Sequence, residues 1–324
     1  MSDSTLSALS NIRTKVRRLT RNPSTSQLSN EDLDSYINNF ILYDFPAHLK
    51  LDSLKTVLTF YTTPYTEKYS TNTTDADNPL YNFKNKYTNV GVPVYIAGDK
   101  ASFSQSRDEF YGHFPLTQFR VSIGTGDGIE TNFTGTLSNI PVLQENVSAT
   151  SIDSNYDQLL MIDDGEGSFT GDIGAASTIA YLTGIYDVTF DNAPLDGQEV
   201  YINSVPYTPN KPTSVLYAEN EFVVRPVPDG VYSIAVTAYI RPTEMDDAAD
   251  LPLLSEWHEY ISYGAAIKVL QDRLDMETVQ LIMPEFKNQE ILINRRKIVQ
   301  NSGKRTATIF TSGYNNNSDL TGDL

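Results

Sequence analysis

The chain has no cysteine, so it can build neither a disulfide framework nor a thiolate metal site. Its three histidines, His48, His113 and His258, lie far apart with no metal-type spacing between them. There is no His-Glu-x-x-His, no Gly-x-Ser-x-Gly and no Walker loop, and "GTGDG" at 124–128 lacks the glycine spacing of a dinucleotide loop. No run of about 20 apolar residues could span a bilayer. The first residues, "MSDSTLSALSNIRTKVRRLTRNP", lack the apolar centre of a secretory signal, so synthesis in a cytoplasm is expected. Without a catalytic constellation, the expectation is a protein that is not an enzyme and carries no cofactor.

Basic residues are scarce as well: 24 Lys and Arg stand against 41 Asp and Glu, a net charge of −17. Residues 119–250 hold 20 acids and four bases, so 16 of those 17 charges sit in that segment. Such a body repels nucleic acid rather than gripping it, and its acidity also serves solubility. "DDGEGSFTGD" at 163–172 is the best metal candidate, since Asp163, Asp164, Glu166 and Asp172 are hard oxygen donors. The EF-hand spacing and its central glycine fail, so plain β-turns are the simpler reading and no metal ligand is assigned.

What the chain does have is an ordered change of periodicity. Ile12, Val16 and Leu19 recur at helical spacing among Arg13, Lys15, Arg17, Arg18 and Arg21, a basic amphipathic helix ending before Asn22-Pro23. Its basic face is either solvated or a contact for a partner or phosphate. A second helix has a capping Ser29, Asp32 at the third helical position, a Leu28–Leu33 staple, and an apolar stripe through Tyr36, Ile37, Phe40 and Ile41. A strand is expected over 56–62, and residues 66–93, rich in Asn, Thr and Tyr, read as an extended surface loop. Residues 119–205 are short alternating runs split by Gly, Asp and Asn, the pattern of an antiparallel β-sandwich or small barrel. "FVVRPVPDGVYSIAVTAYIRP", 222–242, predicts a hairpin about Pro228-Asp229-Gly230 with Tyr232, Ile234, Val236, Ala238 and Ile240 on one face. Helices return after 250, capped at Ser255 and interrupted at Pro284, and residues 302–324 form a polar tail.

The expected fold class is therefore α+β. A discontinuous helical domain (1–118 plus 206–301) carries the β-hairpin and is interrupted by an inserted antiparallel β-sandwich-like domain (119–205). An extended C-terminal arm (302–324) follows, in which Lys304, Arg305, Thr306, Ala307, Thr308, Ile309 and Phe310 are suited to adding as a strand to a partner's sheet edge.

Four stretches, in this order, resemble the head-to-tail adaptor proteins of tailed bacteriophages. They are "IRTKVRRLTRNPSTSQLSNEDLDSYINNFILYDFP", "PVYIAGDKASFSQSRDEFYGHFP", the hairpin segment above, and "LPLLSEWHEYISYGAAIKVLQDRLDMETVQLIMPEFKNQEILINRRKIVQ". The inserted segment resembles a β domain of phage structural proteins through "DDGEGSFTGD", "IAYLTGIYDVTF" and "NAPLDGQEV". The resemblance implies a virion protein of the head–tail interface: a homo-oligomeric, dodecameric ring bound to the portal protein, to neighbouring subunits and to downstream tail proteins. Such a connector ring extends the channel through which genomic DNA passes without sequence-specific binding, and it serves viral tail assembly and DNA ejection. It also implies that the hairpin helps to place neighbouring subunits. Portal or subunit contacts are then expected at Arg13, Arg17, Arg18, Arg21, Arg295, Arg296 and the arm residues Lys304 to Phe310. The competing expectation is a receptor- or carbohydrate-binding phage tail protein, in which Tyr156, Tyr181, Tyr186 and Tyr201 of the β domain would matter unless alternation makes them core.

Overall fold

The computed structural model describes residues 7–22, 24–45, 54–253 and 255–301, with side chains through Arg295. Six helices and fifteen strands are found among them. In the first third these are α1 (Leu9–Leu19), α2 (Asn30–Asn39), β1 (Lys55–Tyr61), β2 (Lys68–Ser70), α3 (Phe83–Lys86), β3 (Tyr87–Ile96), β4 (Asp99–Ser104) and α4 (Arg107–His113). The middle holds β5 (Phe119–Thr125), β6 (Asn132–Thr136), β7 (Ser148–Ile152), β8 (Gln158–Asp163), β9 (Phe169–Gly171), β10 (Thr178–Ile179), β11 (Ile185–Thr189) and β12 (Glu199–Ser204). The chain closes with β13 (Ser214–Ala218), β14 (Glu221–Arg225), β15 (Ser233–Ile240), α5 (His258–Asp272) and α6 (Met276–Asn301). The fold is mixed α+β.

Two compact units emerge, and their boundaries differ from those expected from periodicity. One comprises 1–56, 84–90 and 238–324; the other comprises 57–83 and 91–237. Segment 206–237 thus joins the β-rich unit rather than the helical one, because β13 and β14 and the start of β15 are sheet strands.

In the helical unit, α1, α2, α5 and α6 enclose one apolar core. Leu9, Ile12 and Val16 of α1 meet Leu33 and Ile37 of α2 and Ile261, Ala265 and Val269 of α5. The cap on α2 forms as the sequence requires: Ser29 Oγ accepts from the Asp32 amide at 3.0 Å, and Leu28 and Leu33 are both buried. After Asn39 the helix widens into a π turn, Phe40–Asp44, with Phe40, Ile41 and Leu42 all buried. Phe40 lies in an aromatic cluster with Phe45, Tyr260 and Phe286, the last two stacked at 4.7 Å. Helix α6 runs unbroken through Pro284, against the sequence expectation of an interruption there. The carbonyl that loses its donor is that of Gln280, an exposed residue that water can reach, while Val279, Ile282, Met283 and Phe286 hold the opposite face against α5.

A seven-stranded sheet, most of whose residues belong to the β-rich unit, has the order β1-β15-β3-β4-β13-β14-β2, with β13 parallel to β4 and antiparallel to β14. The sheet curls: the Phe60 ring on β1, at one edge, lies 5.2 Å from Phe222 on β14 and 5.6 Å from Tyr69 on β2, at the other. The hairpin expected over 222–242 does not form, because β14 and β15 are not neighbours. The Pro-Asp-Gly turn bonds elsewhere: Thr62 Oγ1 donates to Gly230 O, and the amides of Thr62 and Tyr65 reach Tyr232 O and Pro228 O. β14 instead turns back on β13 through Glu219 and Asn220, both at positive φ. The stretch read as a surface loop, 66–93, contains β2, α3 and most of β3, anchored by buried Leu80, Phe83 and Val90.

Residues 119–205 carry two antiparallel sheets, β5-β12-β7-β8-β9 and β10-β11-β6. They share one core that includes Phe133, Ala149, Met161, Phe169, Val188, Phe190 and Ile202. The first and last strands of the segment pair, with Phe119 directly opposite Ser204.

Candidate assembly surface

Helix α1 sorts its basic residues by position around the axis. Its apolar stripe faces the core, and the residues flanking that stripe are pinned to neighbouring helices. Arg13 grips Asp34 of α2 with two parallel bonds, Nε to Oδ1 and Nη2 to Oδ2, each 2.5 Å. Arg17 donates to Ser24 O and Asn30 Oδ1 at 3.2 and 2.9 Å, tying the α1–α2 connection. On the other flank, Lys15 pairs with Glu259 of α5 and sits 4.9 Å over the Tyr263 ring. Burial pulls the Lys15 ammonium below the usual lysine value, helped by the neighbouring charge of Arg18 and opposed by Glu285.

Two arginines remain. Arg18 projects from the side of α1 opposite the core, and Arg21 follows the helix end at φ +54; both are exposed and make no ion pair among the described residues. Arg21 contributes a small part of the depression of the Asp275 carboxyl, which rests mainly on the hydroxyl and amide of Thr278. The basic face expected from the sequence therefore divides. Arg13 and Arg17 serve intramolecular packing; Arg18 and Arg21 are available to a partner.

Arg295, on α6, is exposed. Around it on the outward side of the helix stand Leu281, Ile291 and Leu292, which are 67%, 50% and 43% exposed. Spacing of 100° per residue places these four within one arc of about 100°, opposite the buried face formed by Val279, Phe286 and Ile293. Helix α6 thus carries exposed aliphatic side chains on the side away from its packed face, interspersed with exposed Glu277, Asn288 and Arg295, and they are left uncovered among the described residues. Sequence reasoning missed this second face. Its signal is the lack of any continuous polar side in "METVQLIMPEFKNQEILINRR". Of the other expected contact residues, Arg296 lies in α6 with its side chain outside the described residues, and Lys304, Arg305, Thr306, Ala307, Thr308, Ile309 and Phe310 lie outside them altogether.

The expected metal candidate resolves into turns. Asp163 accepts from the amides of Glu145 and Gly165 and from the Tyr181 hydroxyl. Asp164 accepts from the Glu166 and Ser168 amides, which hold its carboxyl below the usual range, and Asp172 accepts from the Leu160 amide. No group of three or more potential ligands converges among the described residues. His113 Nδ1 lies 2.9 Å from Glu109 O, His258 Nδ1 lies 3.3 Å from Ser255 O, and His48 lies outside the described residues. No helix among the described residues is long and apolar enough to cross a membrane. Compared with known protein families and with characterised proteins, the chain matches none.

Proposed function

We propose that this chain is a structural subunit of a homo-oligomeric ring, the adaptor between portal and tail in a tailed-phage virion. The observation that carries the reading is the set of exposed aliphatic side chains on the outward side of α6, Leu281, Ile291 and Leu292, beside Arg295. Three large aliphatic side chains held in water on one helix face are disfavoured in a free monomer, and covering them by a neighbouring subunit removes that penalty. Arg18 and Arg21 supply unpaired cations that steer association and fix register rather than add bulk affinity. The acidic segment 119–250 suits a body beside a DNA channel, where phosphate contacts would hinder passage. In this reading the chain performs no catalysis. Its partners are copies of itself, the portal protein above and tail proteins below.

The test is native mass measurement of the full chain, alone and with its portal, across protein concentration and salt. A ring of defined stoichiometry is expected on the portal. Leu281→Asn with Leu292→Asn should abolish it, and Arg18→Glu with Arg21→Glu should weaken it more strongly at low salt. A protein that stays monomeric with the portal at every concentration, or whose assembly ignores both pairs of substitutions, would sink the proposal.

A further inference from the structure

The β-rich unit contains a cavity of about 470 Å³ whose wall includes Tyr65, Glu67, Gln144, Tyr181, Leu182 and Tyr207. That volume falls in the range of small-ligand sites, roughly 300–1,000 Å³. The aromatic residues arrive from three separate places: the β1–β2 connection, the β10–β11 turn and the segment after β12. Each is held. Tyr65 sits at φ +63, a conformation that non-glycine residues seldom adopt, secured by its amide bond of 2.7 Å to Pro228 O. The Tyr181 hydroxyl donates to Asp163 at 2.5 Å, and the Tyr207 amide donates to Pro141 O at 3.0 Å. Tyr65 and Leu182 are nevertheless 42% and 48% exposed, so the cavity presents apolar surface to solvent.

The polar groups narrow the ligand. Glu67 is 8% exposed and lies 2.5 Å from Arg225 Nη2, so its charge is already met. Burial and the negative charge of Glu67 push the Tyr207 phenol up to about 12, and like any tyrosine it is a donor at neutral pH. Asp163 is occupied by three donors, and Glu145 by Lys68. No carboxylate is left for a cationic head group. An anion meets the surrounding acidic segment, where 20 acids face four bases. What fits is a neutral molecule with apolar ring faces and a rim of hydroxyls, which tyrosine rings cover while Gln144 takes the hydroxyls.

From this we infer that the cavity bounded by Tyr65, Tyr181 and Tyr207 is a binding site for a neutral pyranose of a glycan chain. The site is independent of the α6 face, so assembly and sugar binding can succeed or fail separately. The experiment is saturation-transfer NMR and calorimetry on the full chain. The probes are maltotriose, cellotriose, chitotriose and a mannotriose, with glucuronic acid and adenosine monophosphate as charged comparisons. Saturable binding of at least one neutral trisaccharide is expected, weakened about tenfold by Tyr65→Ala and by Gln144→Ala. Both positions are exposed, so these variants keep the fold. Tyr156→Ala, at a tyrosine 79% exposed and outside this cavity, should leave binding unchanged. Absence of saturable binding by every neutral probe overturns the inference. So does preference for the monophosphate, or loss of binding in Tyr156→Ala but not in Tyr65→Ala.

Discussion

Gly264 sits in the middle of α5 where an alanine would ordinarily be better. Replacing a helical glycine by alanine gains about 1 kcal/mol from backbone entropy and propensity. Here a Cβ would stand 2.1, 2.2 and 2.5 Å from three tip carbons of the Phe40 ring. Carbon atoms in contact prefer about 3.5–4.0 Å, so the ring tip has to retreat by roughly 1.5 Å. It has little room to do so: Phe40 is 3% exposed, and Phe45, Tyr260 and Phe286 stand at ring distances of 6.2, 5.5 and 6.2 Å. Overpacking in such a core costs about 1–3 kcal/mol and sometimes more, and a methyl group inside bonding-scale distance of a fixed ring lies at the upper end. The clash therefore wins. Gly264→Ala should lose about 2 kcal/mol net, or about 4–8 °C in melting temperature. The measurement is urea unfolding of the full chain followed by far-ultraviolet circular dichroism, in the wild-type and Phe40→Leu backgrounds. Without the Phe40 ring tip the same alanine should be neutral or stabilising, giving a coupling of about 2 kcal/mol. A stabilising Gly264→Ala in the wild type, or an equal loss in both backgrounds, would refute the close helix contact.

Three further predictions rest on separate features. Tyr69 and Tyr207 are raised by burial from an ordinary value of 10.0 to about 12, so the stability they contribute is fully present below pH 10 and is lost as pH rises through 12; absorbance titration should show late-ionising tyrosines that Tyr69→Phe and Tyr207→Phe remove one at a time. Pro284→Ala restores an amide donor to the Gln280 carbonyl on an exposed face of α6 and should stabilise by about 1–3 kcal/mol in chemical unfolding, a loss of stability pointing instead to packing by the proline ring. Because Phe119 and Ser204 are paired across β5 and β12, residues 119–204 should be replaceable by a short linker, with the helical dichroism and cooperative melting of the remainder retained; loss of both would show that the segment is not a removable insertion.

Much of the helical unit was legible because its signals are local. The Ser29 cap, the Leu28–Leu33 staple and the stripe through Ile37, Phe40 and Ile41 each depend on residues within two turns of one another. The curled sheet was not legible for the opposite reason. β13 lies beside β4, which precedes it by more than a hundred residues, and nothing in "SVLYA" announces a parallel neighbour. The expected 222–242 hairpin fails to form for the same reason. Pro228-Asp229-Gly230 carries ordinary hairpin chemistry, yet its bonds go to Thr62 and Tyr65, while the hairpin that does form turns on Glu219 and Asn220, with no glycine to mark it.

The candidate surface shows a similar limit at the level of single side chains. Arg13, Arg17, Arg18 and Arg21 form one basic cluster in sequence and are equivalent by composition. They part company only when Asp34 and Asn30 of α2 take the first two. The partner of Arg13 is 21 positions away, set by the α1–α2 connection and not by helical spacing. The same reasoning applies to Tyr65, which no sequence signal singled out: its place at the cavity depends on a bond to Pro228, 163 residues downstream. Groups that answer to distant partners carry no local signature, whereas residues left unanswered after folding, such as Arg18, Arg21 and the outward leucines of α6, are the ones an assembly can use. That is why the surface proposed for assembly lies on α1, which local signals mark, and on α6, which the sequence reads as interrupted at Pro284, and on residues that composition and periodicity alone do not separate from their neighbours.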